Sequence, residues 1–331
     1  MKRWLVITAY VMFLACSGTS FALLNPDAFE HETLIVSNYP ESIEGPGLIF
    51  DTVLKKKSLR VLYHHKNNAE KPLFVLAQIQ NFSGLPTKVF LQKGSGGPSE
   101  DVVFAGHTAA KQFLEQLNSI ADVVNIAPFS SKQLLLHKIK PSQVSSGLFR
   151  IEKTDYKPLS VKLSIIEAQY PHLSAFYDVP NPLSQFRPTV LKNAYRKLNI
   201  SFDAKQDIMA FEIGGKPYLR AHESPYALKG NYGVIHDARI TLRNSTAHKK
   251  KIQFFFSPKK YESVDRAVLL LNGELIEIGL LSFVGEKVSI QHFYSVELAA
   301  GEQKDVTLVT FPQSGCFYPI DIILKARDEQ L

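Results

Sequence analysis

Ten histidines are the side chains of this sequence best suited to chemistry, because a neutral imidazole binds metal or moves a proton near neutral pH. Their spacing argues against that use. His64 and His65 are adjacent, so in a strand they point to opposite faces, and His222-Glu223 lacks the second histidine that a helical zinc-protease motif requires. His236 alternates with Val234, Ala238, Ile240 and Leu242, a pattern that favours a core histidine satisfied by a backbone carbonyl over a ligand or proton shuttle. His292 shows the same pattern beside Val288, Ile290, Tyr294, Val296 and Leu298. A metal or hydrolytic site assembled from distant residues stays open as an alternative, centred on Gly230, Tyr232 and His236.

Other chemistries have weaker signals. Lys93-Gly94-Ser95-Gly96-Gly97-Pro98 has the glycine density of a loop whose amides cradle an anion, yet it lacks a Gly-Lys-Ser/Thr ending and runs into Glu100 and Asp101. It reads instead as a flexible connection. No Gly-x-Ser-x-Gly elbow marks a nucleophile, and Cys316 sits where any small apolar residue would serve. Tyr218, Tyr226 and Tyr232 cluster before an alternating strand and offer rings on which a sugar could stack, with capping of a core as the competing reading. Gly96, Gly97, His107, Tyr232 and His236 are the candidate binding positions; no residue is assigned a catalytic or metal-ligating role, and no cofactor is expected.

The elements that would position these residues are strands. The alternation around His236 has the period of two of a half-buried strand, and Asn272-Gly273 between two apolar runs is a strong hairpin signal. Two passages recur. Ile79-Gln80-Asn81-Phe82-Ser83, continuing to Lys88-Val89-Phe90-Leu91, matches Leu242-Arg243-Asn244-Ser245-Thr246, continuing to Lys251-Ile252-Gln253-Phe254. Tyr156-Lys157-Pro158-Leu159-Ser160-Val161-Lys162-Leu163 matches Phe317-Tyr318-Pro319-Ile320-Asp321-Ile322-Ile323-Leu324 at nearly the same offset. Tandem domains of one type follow.

These strand–Asn–strand patterns resemble bacterial immunoglobulin-like β-sandwich modules, without the Cys-Trp-Cys set of antibody domains. The resemblance implies binding, spacing or assembly at a cell envelope rather than catalysis. The expected fold is all-β: two tandem immunoglobulin-like antiparallel sandwiches, over 23–168 and 191–331, joined by a Pro-rich linker at 169–190. A helix near 108–118 interrupts the first, with Thr108 as N-cap, Ala110, Phe113, Leu114 and Leu117 on its apolar face, and Lys111 paired with Glu115. As the point where the copies diverge, it is a natural place for specific function.

Lys2 and Arg3, a short apolar run and Ser20-Phe21-Ala22 read as a signal peptide over 1–22. Met12-Phe13-Leu14-Ala15-Cys16 also fits a lipobox, in which Cys16 is lipidated and the protein is tethered to the outer membrane. Either way the expectation is an exported periplasmic or cell-surface protein, meeting a membrane only through Cys16. Cys16 belongs to the leader, so Cys316 has no partner for an internal disulfide and core burial must hold each domain. With 38 basic against 31 acidic residues, the modest positive charge argues against nucleic acid. The expected partner is an envelope protein or polysaccharide, with a sugar-binding adhesin as a further alternative.

Overall fold

The computed structural model describes residues 29, 31–39, 41–167, 186–221, 226–260, 263–285 and 287–328. Cys16 with the rest of the expected leader, most of the expected linker, and His222-Glu223 lie outside the described residues. Among the described residues no helix is long and apolar enough to cross a membrane.

In chain order the elements are β1 (Thr33–Ser37), β2 (Ser42–Ile43), β3 (Gly47–Val53), β4 (Ser58–Asn67), β5 (Leu73–Asn81), β6 (Thr87–Ser99), α1 (Val102–Leu117), β7 (Asp122–Ile126), β8 (Ser131–Ile139), β9 (Val144–Lys153) and β10 (Leu159–Ile166). They continue with β11 (Thr189–Lys192), β12 (Tyr195–Asp203), β13 (Ile208–Ile213), β14 (Ile235–Arg243), β15 (Lys250–Pro258), β16 (Ser263–Leu271), β17 (Glu274–Val284), β18 (Lys287–Val288), β19 (Gln291–Leu298), β20 (Gln303–Thr310) and β21 (Ile320–Asp328).

Four sheets make two sandwiches. In the first, the order β11-β1-β4-β9-β6-β7 faces β3-β10-β5-β8; in the second, β12-β14-β20-β16-β17-β18 faces β13-β21-β15-β19. Strand for strand, β1-β4-β9-β6-β7 repeats as β12-β14-β20-β16-β17, and β3-β10-β5-β8 as β13-β21-β15-β19. The chain is therefore all-β with the duplicated sandwich that its repeats imply. The sheets are not wholly antiparallel, since β1 runs parallel to β4 and β12 parallel to β14. The strand β11 extends the first sandwich by pairing with β1.

Each sandwich encloses its own core, Tyr63, Ile79, Phe149 and Val161 being typical of one and Phe202, Ile240, Phe254 and Leu324 of the other. A third apolar layer lies between them. It joins α1 through Ala109, Ala110, Phe113, Leu114 and Leu117 to Leu34, Leu62 and Leu148 on one side and Val268, Leu270, Val309 and Phe311 on the other. Covered on both faces, β4 is buried almost throughout, which explains why Ser58–Asn67 lacks a polar alternation.

Asparagine corners set the strand junctions. The Asn244 side-chain amide donates to the carbonyls of His248, Leu298 and Ala299 at 2.8–3.0 Å, while its oxygen accepts the Thr246 N–H. Asn67 does the same with the Lys71 and Ile139 carbonyls and the Ala69 N–H. Because Asn67 closes β4 and Asn244 follows β14, these two are the true counterparts. Asn81 uses the same device at the end of β5, donating to Leu85 and Ala127 and accepting from Ser83. The match of Asn81 with Asn244 is thus a shared corner at different junctions, whereas the Pro158 and Pro319 passages do coincide at the starts of β10 and β21.

Two expectations need correction. His292 is exposed rather than core-facing, because a β-bulge between Phe254 and Phe255 shifts the register against β19 and reverses which face it presents. The helix begins at Val102, six residues before Thr108. Asp101 is its cap, with Oδ1 accepting the Phe104 N–H at 2.9 Å, and Lys111 pairs with Glu277 at 2.6 Å.

Candidate functional site

The glycine-rich run is strand, not loop. Gly94, Ser95 and Gly96 pair with Leu148, Gly147 and Ser146 of β9. On the open side of β6 the helix takes the place of a neighbouring strand, since the Lys93 N–H bonds Gln116 Oε1 at 2.7 Å and the Ser95 N–H bonds Gln112 Oε1 at 3.0 Å. Two of the amides that could have held an anion, those of Lys93 and Ser95, are occupied by the helix. A Cβ on Gly96 would overlap the Ala105 carbonyl oxygen, and one on Gly94 the Ala109 carbonyl oxygen, so the missing side chains let the helix backbone lie directly on the strand. Gly97 adopts φ +91° at a bulge in this pairing, which resumes at Ser99 and Val144, and a Cβ there would overlap the Val144 carbonyl oxygen.

The opposite side of α1 lands on the second sandwich. A Cβ on Gly106 would overlap the Ser314 carbonyl, and one on Gly315 the Val102 carbonyl. The loop 312–318 beneath is tied from below, because Tyr232 donates its hydroxyl to the Cys316 carbonyl at 2.8 Å and buried Asp265 accepts the Phe317 N–H at 2.7 Å. Burial pushes the Asp265 carboxyl up and the Tyr232 hydroxyl well up. The Cys316 sulfur accepts from the Arg266 N–H and Gln313 Nε2, and burial raises its thiol to about 11, which makes it a poor nucleophile.

His107 projects from the helix into the same seam. Its Nε2 lies 3.0 Å from Glu277 Oε2 on β17, while Lys111 holds the other carboxylate oxygen at 2.6 Å. Burial lowers the pKa of His107 against the opposing pull of Glu277. His236 is buried near Gly214, with Nδ1 3.0 Å from the Val234 carbonyl and Nε2 accepting the Gly214 N–H at 3.4 Å. Both ring nitrogens are used by backbone. Burial, with help from Arg196, lowers its pKa to about 4, so the ring is neutral at physiological pH.

The structure therefore brings Gly96, His107 and Tyr232 to one seam, with Gly97 at its edge and His236 in the adjoining end of the second sandwich. All five positions serve contacts within the chain. Among the described residues no group of three or more His, Cys, Asp or Glu is placed to hold a metal ion. Of the tyrosines that could stack a sugar, Tyr232 is turned inward against Tyr318, ring centroids 5.9 Å apart, and Tyr226 is exposed.

Sequence reasoning missed the most strongly charged part of the seam. Glu32 is fully buried between Arg60, 3.2 Å away, and Arg150, 2.7 Å away, and Arg150 also reaches Glu152 at 2.9 Å. Arg60 Nη2 donates to the Ala194 carbonyl at 2.8 Å, the Arg150 guanidinium lies 4.8 Å from the Phe29 ring centroid, and Phe29 stacks on Tyr195, whose hydroxyl donates to Asp237 at 2.5 Å. The cluster links β1, β4 and β9 to the start of β12. An arginine in the otherwise apolar run Leu59–Tyr63 was the available signal.

No family model and no curated protein matches the chain. Among solved structures it aligns with the PBSX exported protein XepA at 8% identity, covering 86% of this chain and 88% of that one with a TM-score of 0.17. It also aligns with the tandem CBM22-1–CBM22-2 domain of Paenibacillus barcinonensis Xyn10C at 9% identity, covering 87% and 92% with a TM-score of 0.15. Superpositions this slight support no inference about function, and the fold rests on the chain's own sheets.

Proposed function

We propose that this chain is an exported, non-enzymatic binding or assembly component of a bacterial cell envelope, recognising an envelope protein or polysaccharide through strand edges and loops of its paired sandwiches. The observation that carries the reading is the edge at β17 and β18. Leu280, Val284, Val288 and Ile290 there are 64, 59, 40 and 44% exposed. Strand β17 pairs with β16 except at a bulge over Gly279 and Leu280; on the other side β18 pairs with Phe283 and Val284 and the Ser289 N–H bonds the Ser282 carbonyl, while the Gly279 N–H is held by Gln291 Oε1. Natural edges are usually blunted by charge, proline or a covering element, as α1 covers β6. The apolar part of this edge that β18 does not pair suits recognition by strand addition. Export rests on residues 1–22 as read from the sequence.

Retention of the purified mature protein on isolated envelope fractions tests this. Leu280→Lys and Val288→Lys should each weaken retention by roughly tenfold, the scale of one buried apolar side chain, with thermal stability unchanged. Undiminished retention by both variants, or turnover of a substrate abolished by a single substitution, would overturn the reading.

A further inference from the structure

Glu277 of β17 is the single carboxylate serving both Lys111 and His107 of α1. Arg266 of β16 adds a further positive charge that disfavours a charged His107, and its Nε is buried with no hydrogen-bond partner among the described residues. His107 Nδ1 is likewise buried and unpartnered. Asp265 of β16 is spent on the Phe317 N–H and the Ser263 hydroxyl, Glu115 of α1 acts on Lys111, and the remaining elements around the helix bring no relief. Beneath it β6 presents Gly94 and Gly96, Arg150 of β9 is engaged with Glu32 and Glu152, and residues 312–316 carry no charged side chain.

A neutral ring that donates from Nε2 to Glu277 fits this setting. A second proton on Nδ1 would create a buried donor without an acceptor, beside Lys111, which already holds Glu277, and Arg266. We infer that His107 is an acid-sensitive latch between the sandwiches, closed while its ring is neutral and released when the ring is protonated. Release would uncover Ala109 and Phe113 on the helix and Val268, Leu270 and Phe311 opposite them, an apolar surface sealed at neutral pH. The direction agrees with burial lowering the pKa of His107: the neutral form supports the closed seam above about pH 6.5, and that support is lost as pH falls through the lowered value.

Hydrogen exchange of the full mature chain at pH 7.5 and 5.0, corrected for intrinsic rates, tests the latch. Amides of α1 and of β16 should exchange at least about tenfold faster at the lower pH, the factor that about 1.4 kcal/mol of lost closure represents, while β5, β10, β15 and β21 stay protected. His107→Gln, which keeps a neutral donor to Glu277, should abolish that difference while leaving the pH response of His236 in place. Should this variant not fold, titration of the His107 ring Cε1–H by NMR in the unaltered protein decides the matter. Seam amides still protected below the ring's own pKa, or an acid-induced acceleration confined to α1 and β16 that survives in His107→Gln, would overturn the latch.

Discussion

Asn244, itself fully buried, spends its side chain on three backbone carbonyls and one N–H. Asn244→Ala should therefore cost about 1–3 kcal/mol, the penalty for stranding buried polar groups. Asn199→Ala on an exposed strand position should cost less than about 0.5 kcal/mol, both measured by urea denaturation. His236 makes a pH prediction. Its pKa falls from 6.5 to about 4 on folding, so the unfolded chain binds the extra proton and stability declines as pH drops from 6.5 towards 4. The loss should reach about 3 kcal/mol, and His236→Gln should remove most of it. The Asn81 and Asn244 corners and the core histidine were readable because they follow from local rules of turn geometry and alternation, whereas the Asn67 corner, inside a run of buried residues, was not read. Glu32, Arg60 and Arg150 were not, because each looks like an ordinary surface charge until separate segments bring them together.

Strand β6 and helix α1 show how a neighbour changes the meaning of a sequence. Lys93–Pro98 has the composition of a loop, and only the helix laid across it explains why its glycines are needed. The apolar face of the helix was legible over Ala110–Leu117 from its spacing, but its first turn, Val102-Val103-Phe104, has strand-like residues whose helical state depends on Asp101 as cap. The parallel pairings of β1 and β12 left no sequence signal, since register partners far apart in the chain are set by packing. Gly96→Val should push the helix off the strand and lower the melting temperature, by the 1–3 kcal/mol or more of an overpacked contact. Gly45→Val, with open space around it, should change stability by less than about 0.5 kcal/mol.

At the scale of the whole molecule, duplication was visible in the Pro158 and Pro319 passages, but not what joins the copies. The helix expected to carry specific function is the element that cements them. Phe113 packs edge-on against Phe311 at 5.8 Å, Asn118 donates to the Gly273 carbonyl at 2.7 Å, and Lys111 and His107 share Glu277. Burying side chains such as Phe113 and Phe311 contributes about 1.5–3 kcal/mol each, enough to couple the stabilities of the sandwiches. Gly96, His107 and Tyr232 are spent on that coupling. The most direct measurement is a urea titration of the mature protein at neutral pH, read by hydrogen exchange of β5 and β10 against β15 and β21. The seam predicts one shared midpoint that separates into two in Phe113→Ala, whereas two separate midpoints in the unaltered protein would contradict it.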